Sequence, residues 1–115
     1  MITKFHSVNI TSKDPKALAE FYRTIGAPVF VENNCYDGWF IGSPQNGGTI
    51  CVWDENLWGK SSAGFITVVL DSDDVQETYE EIRSKGFDIA PPRTADWGGQ
   101  ELVLNDPDGN VIMIL

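Results

Sequence analysis

A chain of 115 residues with 42% apolar content is long enough for one compact core and too apolar to be disordered. Seventeen acidic residues against eight basic ones leave a formal charge of -9. That field repels nucleic acid and anionic membrane surfaces and favours cationic partners, or simply keeps the chain dissolved.

Two cysteines, Cys35 and Cys51, are too few for a disulfide framework and lack zinc-site spacing. The start "MITKFHSVNI" has neither the basic head nor the apolar core of a signal peptide. No apolar run approaches the roughly 18 residues that span a bilayer. A reducing, cytoplasmic setting is expected, with neither nucleic acid nor membrane as partner.

The first predicted element is a strand in "HSVNITS", where Val8 and Ile10 alternate with polar neighbours. Asp14 is placed to cap a following helix with Pro15 at its first position. Leu18, Phe21, Tyr22 and Ile25 recur at helical spacing, and Gly26 stands where a left-handed cap is wanted. Three strand candidates come next, "PVFVEN", "GWFIGS" and "TICVWD". The segment "NLWGKSSAG" reads as a linker.

The same grammar then recurs. "FITVVLDS" alternates Ile66, Val68 and Leu70. Asp73 or Asp74 opens a helix carrying Val75, Tyr79 and Ile82, and Gly86 closes it. "FDIAP", "QELVLN" and "NVIMIL" follow as strands, with turns at "NGG" in the first half and "DPDGN" in the second. At a constant offset of 60, Ser12 meets Ser72, Asp14 meets Asp74, Glu20 meets Glu80, Arg23 meets Arg83 and Gly26 meets Gly86. The organisation predicted is βαβββ twice: a first module over 1–55, a linker over 56–63 and a second module over 64–115.

The segments "KDPKALAEFYRTIG", "DDVQETYEEIRSKG" and "WGGQELVLNDPDGN" carry a resemblance to the vicinal oxygen chelate superfamily. It contains glyoxalase I, bleomycin-resistance proteins and extradiol dioxygenases. The resemblance covers essentially the whole chain. It implies an α+β fold in which two βαβββ repeats form a curled mixed sheet, a half-barrel cup that holds the ligand, with helices on the convex face.

Enzymes of that superfamily hold a divalent metal in the cup. By resemblance, the first ligand of each module falls seven residues before the helix-opening Asp, at Ser7 and Thr67. The carboxylate of the last strand falls on Met113, and its first-module counterpart on Cys51 or Trp53. Hydroxyls, one thiol and a thioether do not make a catalytic zinc, iron or manganese site, so neither metal nor cofactor is expected. His6, the single histidine, adjoins Ser7 and would reach the cup only after a one-residue slip or a bulge. It is read as structural or at the rim.

Alternation places Ser7, Asn9 and Thr11 on the face away from the helix, with Thr67, Val69 and Asp71 in the second module. Thr49, Val103, Asn105 and Met113 join that lining, with Trp53 among them and Glu101 near the mouth. Trp39, Trp58 and Trp97 lie in strand ends and loops. Four tryptophans in a chain of this size offer stacking surfaces for a planar or cationic compound, and equally fill cores and interfaces. The ligand-binding set expected is Ser7, Asn9, Trp39, Cys51, Trp53, Thr67, Trp97, Glu101 and Met113; catalytic residues are not identified.

The lone His6 gives no Ser/His/Asp arrangement, and "GSPQNGG" lacks the spacing and lysine of a phosphate loop. Three readings follow from the resemblance. The first is a metal-independent binding protein, similar to the bleomycin-resistance branch, that sequesters an aromatic or cationic small molecule. The second is a metal-dependent glyoxalase-like lyase or dioxygenase with an atypical site. The third is a non-catalytic accessory or sensor module. A homodimer is expected, because strand edges want covering.

Overall fold

The computed structural model describes residues 1–30, 39–43 and 48–115, apart from the side chains of Trp39, Phe40 and Trp58. Cys35, the second half of "PVFVEN" and the first two residues of the "NGG" turn lie outside the described residues. The chain divides into two compact units, Met1–Ala63 and Gly64–Leu115.

In the first unit the order is β1 (Ser7–Ser12), α1 (Pro15–Thr24), β2 (Val29–Phe30), β3 (Trp39–Ile41), β4 (Thr49–Asp54) and α2 (Glu55–Trp58). The sheet runs β1-β4-β3-β2, with β1 and β4 parallel and the other pairs antiparallel. The second unit holds β5 (Thr67–Leu70), α3 (Val75–Ser84), β6 (Arg93–Thr94), β7 (Gln100–Asn105) and β8 (Val111–Ile114). Its sheet runs β5-β8-β7-β6, again with the first and last strands parallel. The fold is α+β, built on two open mixed sheets.

Both long helices start on the same local device. Asp14 Oδ1 accepts the Ala17 N–H at 3.0 Å, and Ser12 Oγ accepts the Asp14 N–H at 3.1 Å. Asp74 Oδ1 accepts the Glu77 N–H at 3.0 Å, and Ser72 Oγ accepts the Asp74 N–H at 3.2 Å. Each carboxylate satisfies an otherwise orphaned helix donor, an effect of about 1 kcal/mol. At the other end Gly26 (φ 104°) and Gly86 (φ 96°) take the left-handed turn that releases the chain.

Helix α1 packs its Leu18, Ala19 and Tyr22 face on the first sheet, whose Ile10, Ile41 and Val52 are also buried. Helix α3 buries Ile82 above Val68, Leu102, Leu104, Ile112 and Ile114. Each full aliphatic burial contributes roughly 1.5–3 kcal/mol. On the solvent side of α3, Arg83 donates to the Tyr79 hydroxyl at 3.1 Å, and that bond raises the Arg83 pKa.

Two local expectations are corrected. "FDIAP" forms no strand; pairing begins only at Arg93. Pro91 and Pro92 lack the N–H a ladder needs, so the strand starts behind them. The expected linker opens with a helical turn, α2, because Asp54 Oδ1 caps the Asn56 N–H at 2.9 Å and Gly59 (φ 74°) closes it. Among the described residues no helix is long and apolar enough to cross a membrane.

Candidate functional site

Residues paired across a sheet point to the same side, and neighbours along a strand to opposite sides. In the first unit Ser7 pairs with Thr49, Asn9 with Cys51 and Thr11 with Trp53. These six share the face away from α1, since Ile10 and Val52 form the alternate, helix-covered row. In the second unit Thr67 pairs with Val111 and Val69 with Met113, which in turn pairs with Val103. That row is opposite Val68, Ile112 and Leu104, the residues under α3. Each sheet therefore has one face packed on its helix and one open face.

The open faces differ in character. In the first unit Thr49 and Cys51 are buried despite facing away from α1, while Asn9 is exposed and Ser7, Thr11 and Trp53 are half-buried. In the second, Val69 is 55% exposed, Thr67 is exposed, and Val103, Val111 and Met113 are half-buried.

Glu101 stands on the open face of β7, one alternation beyond Val103, and pairs across the ladder with Arg93. Its Oε1 accepts from Arg93 Nε at 2.7 Å. The carboxylate is buried and the guanidinium largely exposed.

Trp97 lies at the tip of the β6–β7 hairpin, closed by Ala95 N–H to Gly99 O at 2.8 Å and Gly98 N–H to Ala95 O at 2.9 Å. Its indole is laid on Gly99: a Cβ there would fall 1.8 Å from Cη2 and Cζ3. With 64% of the residue exposed, the ring has a flat side toward solvent. Trp39 pairs with Val52 in register, and its side chain lies outside the described residues. Register thus puts Ser7, Asn9, Cys51 and Trp53 on one sheet face in the first unit, with Ser7 and Trp53 at opposite ends of the row. In the second it puts Thr67, Met113 and Glu101 on one face, with Met113 between the other two along the strands and Trp97 at the hairpin beyond Glu101.

The ladder also settles the counterpart of Met113. Met113 pairs with Val69, and 60 residues earlier Asn9 pairs with Cys51. The positions at which the resemblance puts metal ligands are therefore Ser7, Cys51, Thr67 and Met113. Two neutral hydroxyls, one buried thiol and a thioether do not fit a divalent catalytic metal. Among the described residues no group of three or more His, Cys, Asp or Glu stands together to hold an ion. His6 precedes β1, is exposed, and shares a 3.2 Å hydrogen bond between Nδ1 and Ser7 Oγ.

Three features escaped sequence reasoning. Arg93 was not recognised as the partner of Glu101, although a hairpin centred on Trp97 puts the two opposite each other. Thr11 and Ser62 exchange hydrogen bonds: Thr11 N–H donates to Ser62 Oγ at 2.8 Å and Ser62 N–H to Thr11 Oγ1 at 3.0 Å. Thr11 Oγ1 also donates to Lys60 O at 2.6 Å. In the second unit Asp106 Oδ1 accepts from the N–H groups of Asp108 and Asn110, and Asn110 Oδ1 accepts from those of Gly64 and Ile66.

Known proteins fall into line with this architecture. A bleomycin resistance protein of Klebsiella pneumoniae is 26% identical over 93% of this chain and 87% of its own length. The crystal structure of TnmS3, an antibiotic-binding protein from Streptomyces sp. CB03234, superposes with a TM-score of 0.76 at 20% identity, covering 98% of this chain and 94% of that one. A bleomycin-binding protein complexed with bleomycin gives 0.69 at 21% identity, over 99% and 97% of the two chains. The profile of the glyoxalase/bleomycin resistance protein/dioxygenase superfamily matches residues 4–114. The chain belongs to that superfamily.

Proposed function

We propose that the protein binds and sequesters a small organic molecule without a metal, and that the molecule lies against an open sheet face. The observation that carries this reading is the lining itself. The positions at which the resemblance implies metal ligands are Ser7 and Cys51 in the first unit and Thr67 and Met113 in the second; beside them Trp53 supplies aromatic contact in the first, and Val69 and Met113 adaptable apolar contact in the second. Such a surface holds a ligand by shape and stacking, with a few polar groups fixing its orientation. The relative from Klebsiella and the two structural neighbours support the same class of activity, since their names record bleomycin resistance, antibiotic binding and bleomycin binding.

The ligand proposed is aromatic, cationic or both. Trp53 and the solvent-facing side of Trp97 suit a planar group, and a cation over an indole gains roughly 0.5–2 kcal/mol. Sequestration by a cytoplasmic homodimer fits this reading, with the exposed apolar residues Ile2 and Phe5 of the first unit as surface for a second copy to cover. The test is a titration of the untagged protein with bleomycin, following tryptophan emission with and without EDTA. Saturable quenching unchanged by the chelator is expected. Binding that requires added divalent metal, or no binding at millimolar bleomycin, would refute the reading.

A further inference from the structure

The charge of the chain is unevenly divided between its two units. Residues 1–63 hold six acidic and five basic side chains, a net of -1, whereas residues 64–115 hold eleven acidic and three basic, a net of -8. Nearly all the negative field thus originates in the second unit. Within it, the acidic side chains of α3 and its capping turn, Asp73, Asp74, Glu77, Glu80 and Glu81, are exposed, where water and salt screen them. Glu101 differs: 7% exposed, it stands on the open sheet face.

A carboxylate removed from water needs a counterion. Arg93 supplies it, but through Nε at 2.7 Å and from a side chain that stays 64% exposed. An exposed arginine keeps access to water, so another cation can take its place on the carboxylate without leaving the guanidinium buried and unpaired. The fold therefore holds Glu101 buried on β7 while the side chain of its counterion stays largely at the surface. Beside it lie Val103, Met113 and Val69, an apolar floor for the rest of a bound molecule.

Resting on the binding reading above, we infer that Glu101 is the charge anchor of the ligand surface and Arg93 its exchangeable resident counterion. A ligand with an ammonium or guanidinium group places that cation on Glu101, and Arg93 moves out to solvent. A neutral analogue leaves the Arg93–Glu101 pair closed. Selectivity for cations then comes from exchange of one positive group for another, with no uncompensated buried charge at either end of the process.

The experiment uses two fluorescent probes: dansylcadaverine, whose terminal amine is protonated at neutral pH, and its N-acetyl derivative, which carries the same fluorophore without that charge. Dansyl emission is titrated with the native protein, Glu101→Gln and Arg93→Gln, each checked by thermal unfolding. Arg93→Met, which keeps a long side chain and removes the charge, serves if Arg93→Gln does not fold. The native protein should prefer the cationic probe by roughly tenfold, the scale of a charge-assisted contact. Glu101→Gln should erase that preference, and Arg93→Gln should widen it by removing the competitor. Equal affinity of the native protein for both probes, or a preference that survives Glu101→Gln, overturns the anchor and leaves the binding reading intact. The same holds if neither probe binds while bleomycin does. If bleomycin also fails, the binding reading falls and the anchor with it.

Discussion

Asn110 Oδ1 accepts the backbone N–H of Gly64 at 3.0 Å, joining residues that are 46 apart in the chain. The same oxygen takes the Ile66 N–H at 3.3 Å, while Nδ2 donates to Asp106 Oδ2 at 3.0 Å. The side chain is fully buried, so it ties the entry of β5 to the turn before β8. Asn110→Ala removes the acceptor of two backbone donors and one donor to the Asp106 carboxylate, and should cost about 2–4 kcal/mol. Urea denaturation followed by circular dichroism reads the loss. A cost below about 0.5 kcal/mol, the range of surface substitutions, would show that water replaces the carboxamide.

The Thr11–Ser62 exchange is half-exposed and should matter less. Ser62→Ala removes the acceptor for the Thr11 N–H and the donor to Thr11 O. A loss of about 1 kcal/mol is expected, with faster amide hydrogen exchange at Thr11. Unchanged exchange there would mean that the bond does not persist in solution.

Gly99→Ala tests the seat of Trp97. The added methyl would fall on the indole ring at 1.8 Å, so the ring must leave. Tryptophan emission should shift to the red and the affinity for an aromatic ligand should fall by several-fold, while stability changes by less than about 1 kcal/mol because the site is at an exposed tip. Emission identical to that of the native protein would show that Trp97 is already free of Gly99.

Adjacent residues on β8 should separate stability from binding. Ile112 is fully buried under α3, so Ile112→Ala should cost about 2–5 kcal/mol. Met113 faces the other way, and Met113→Leu should cost under about 1.5 kcal/mol while changing ligand affinity. Met113→Glu puts a carboxylate where the resemblance implies the metal-binding acid of the superfamily's enzymes. With Ser7, Cys51 and Thr67 unchanged, elemental analysis should still find far less than one metal ion per chain.

Much of this structure was legible because it is written locally. Period-two alternation fixed the faces of β1 and β5, so Ser7, Asn9, Thr67 and Val69 could be assigned to the side away from the helices. A carboxylate cap and a left-handed glycine marked each long helix. What failed was either too short or too distant. Helix α2 is one turn, below the reach of any helical periodicity, although Asp54 and Gly59 were its visible ends. "FDIAP" has strand-like composition, but the two prolines after it delay the ladder to Arg93. The burial of Thr49 and Cys51 on an otherwise open face has no local signature. The Thr11–Ser62 and Asn110–Gly64 bonds join residues dozens of positions apart, and no spacing rule announces them.

Strand β1 is the outermost member of its sheet, and outermost strands offer unpaired amides to any extended peptide that passes. At Thr11 that offer is withdrawn: Ser62 occupies both the N–H and the carbonyl, and the Lys60 carbonyl takes the hydroxyl. Ser62 thus leaves neither backbone group of Thr11 available to a foreign strand. Losing it would show first as a shorter shelf life at high concentration, before any change in what the protein binds.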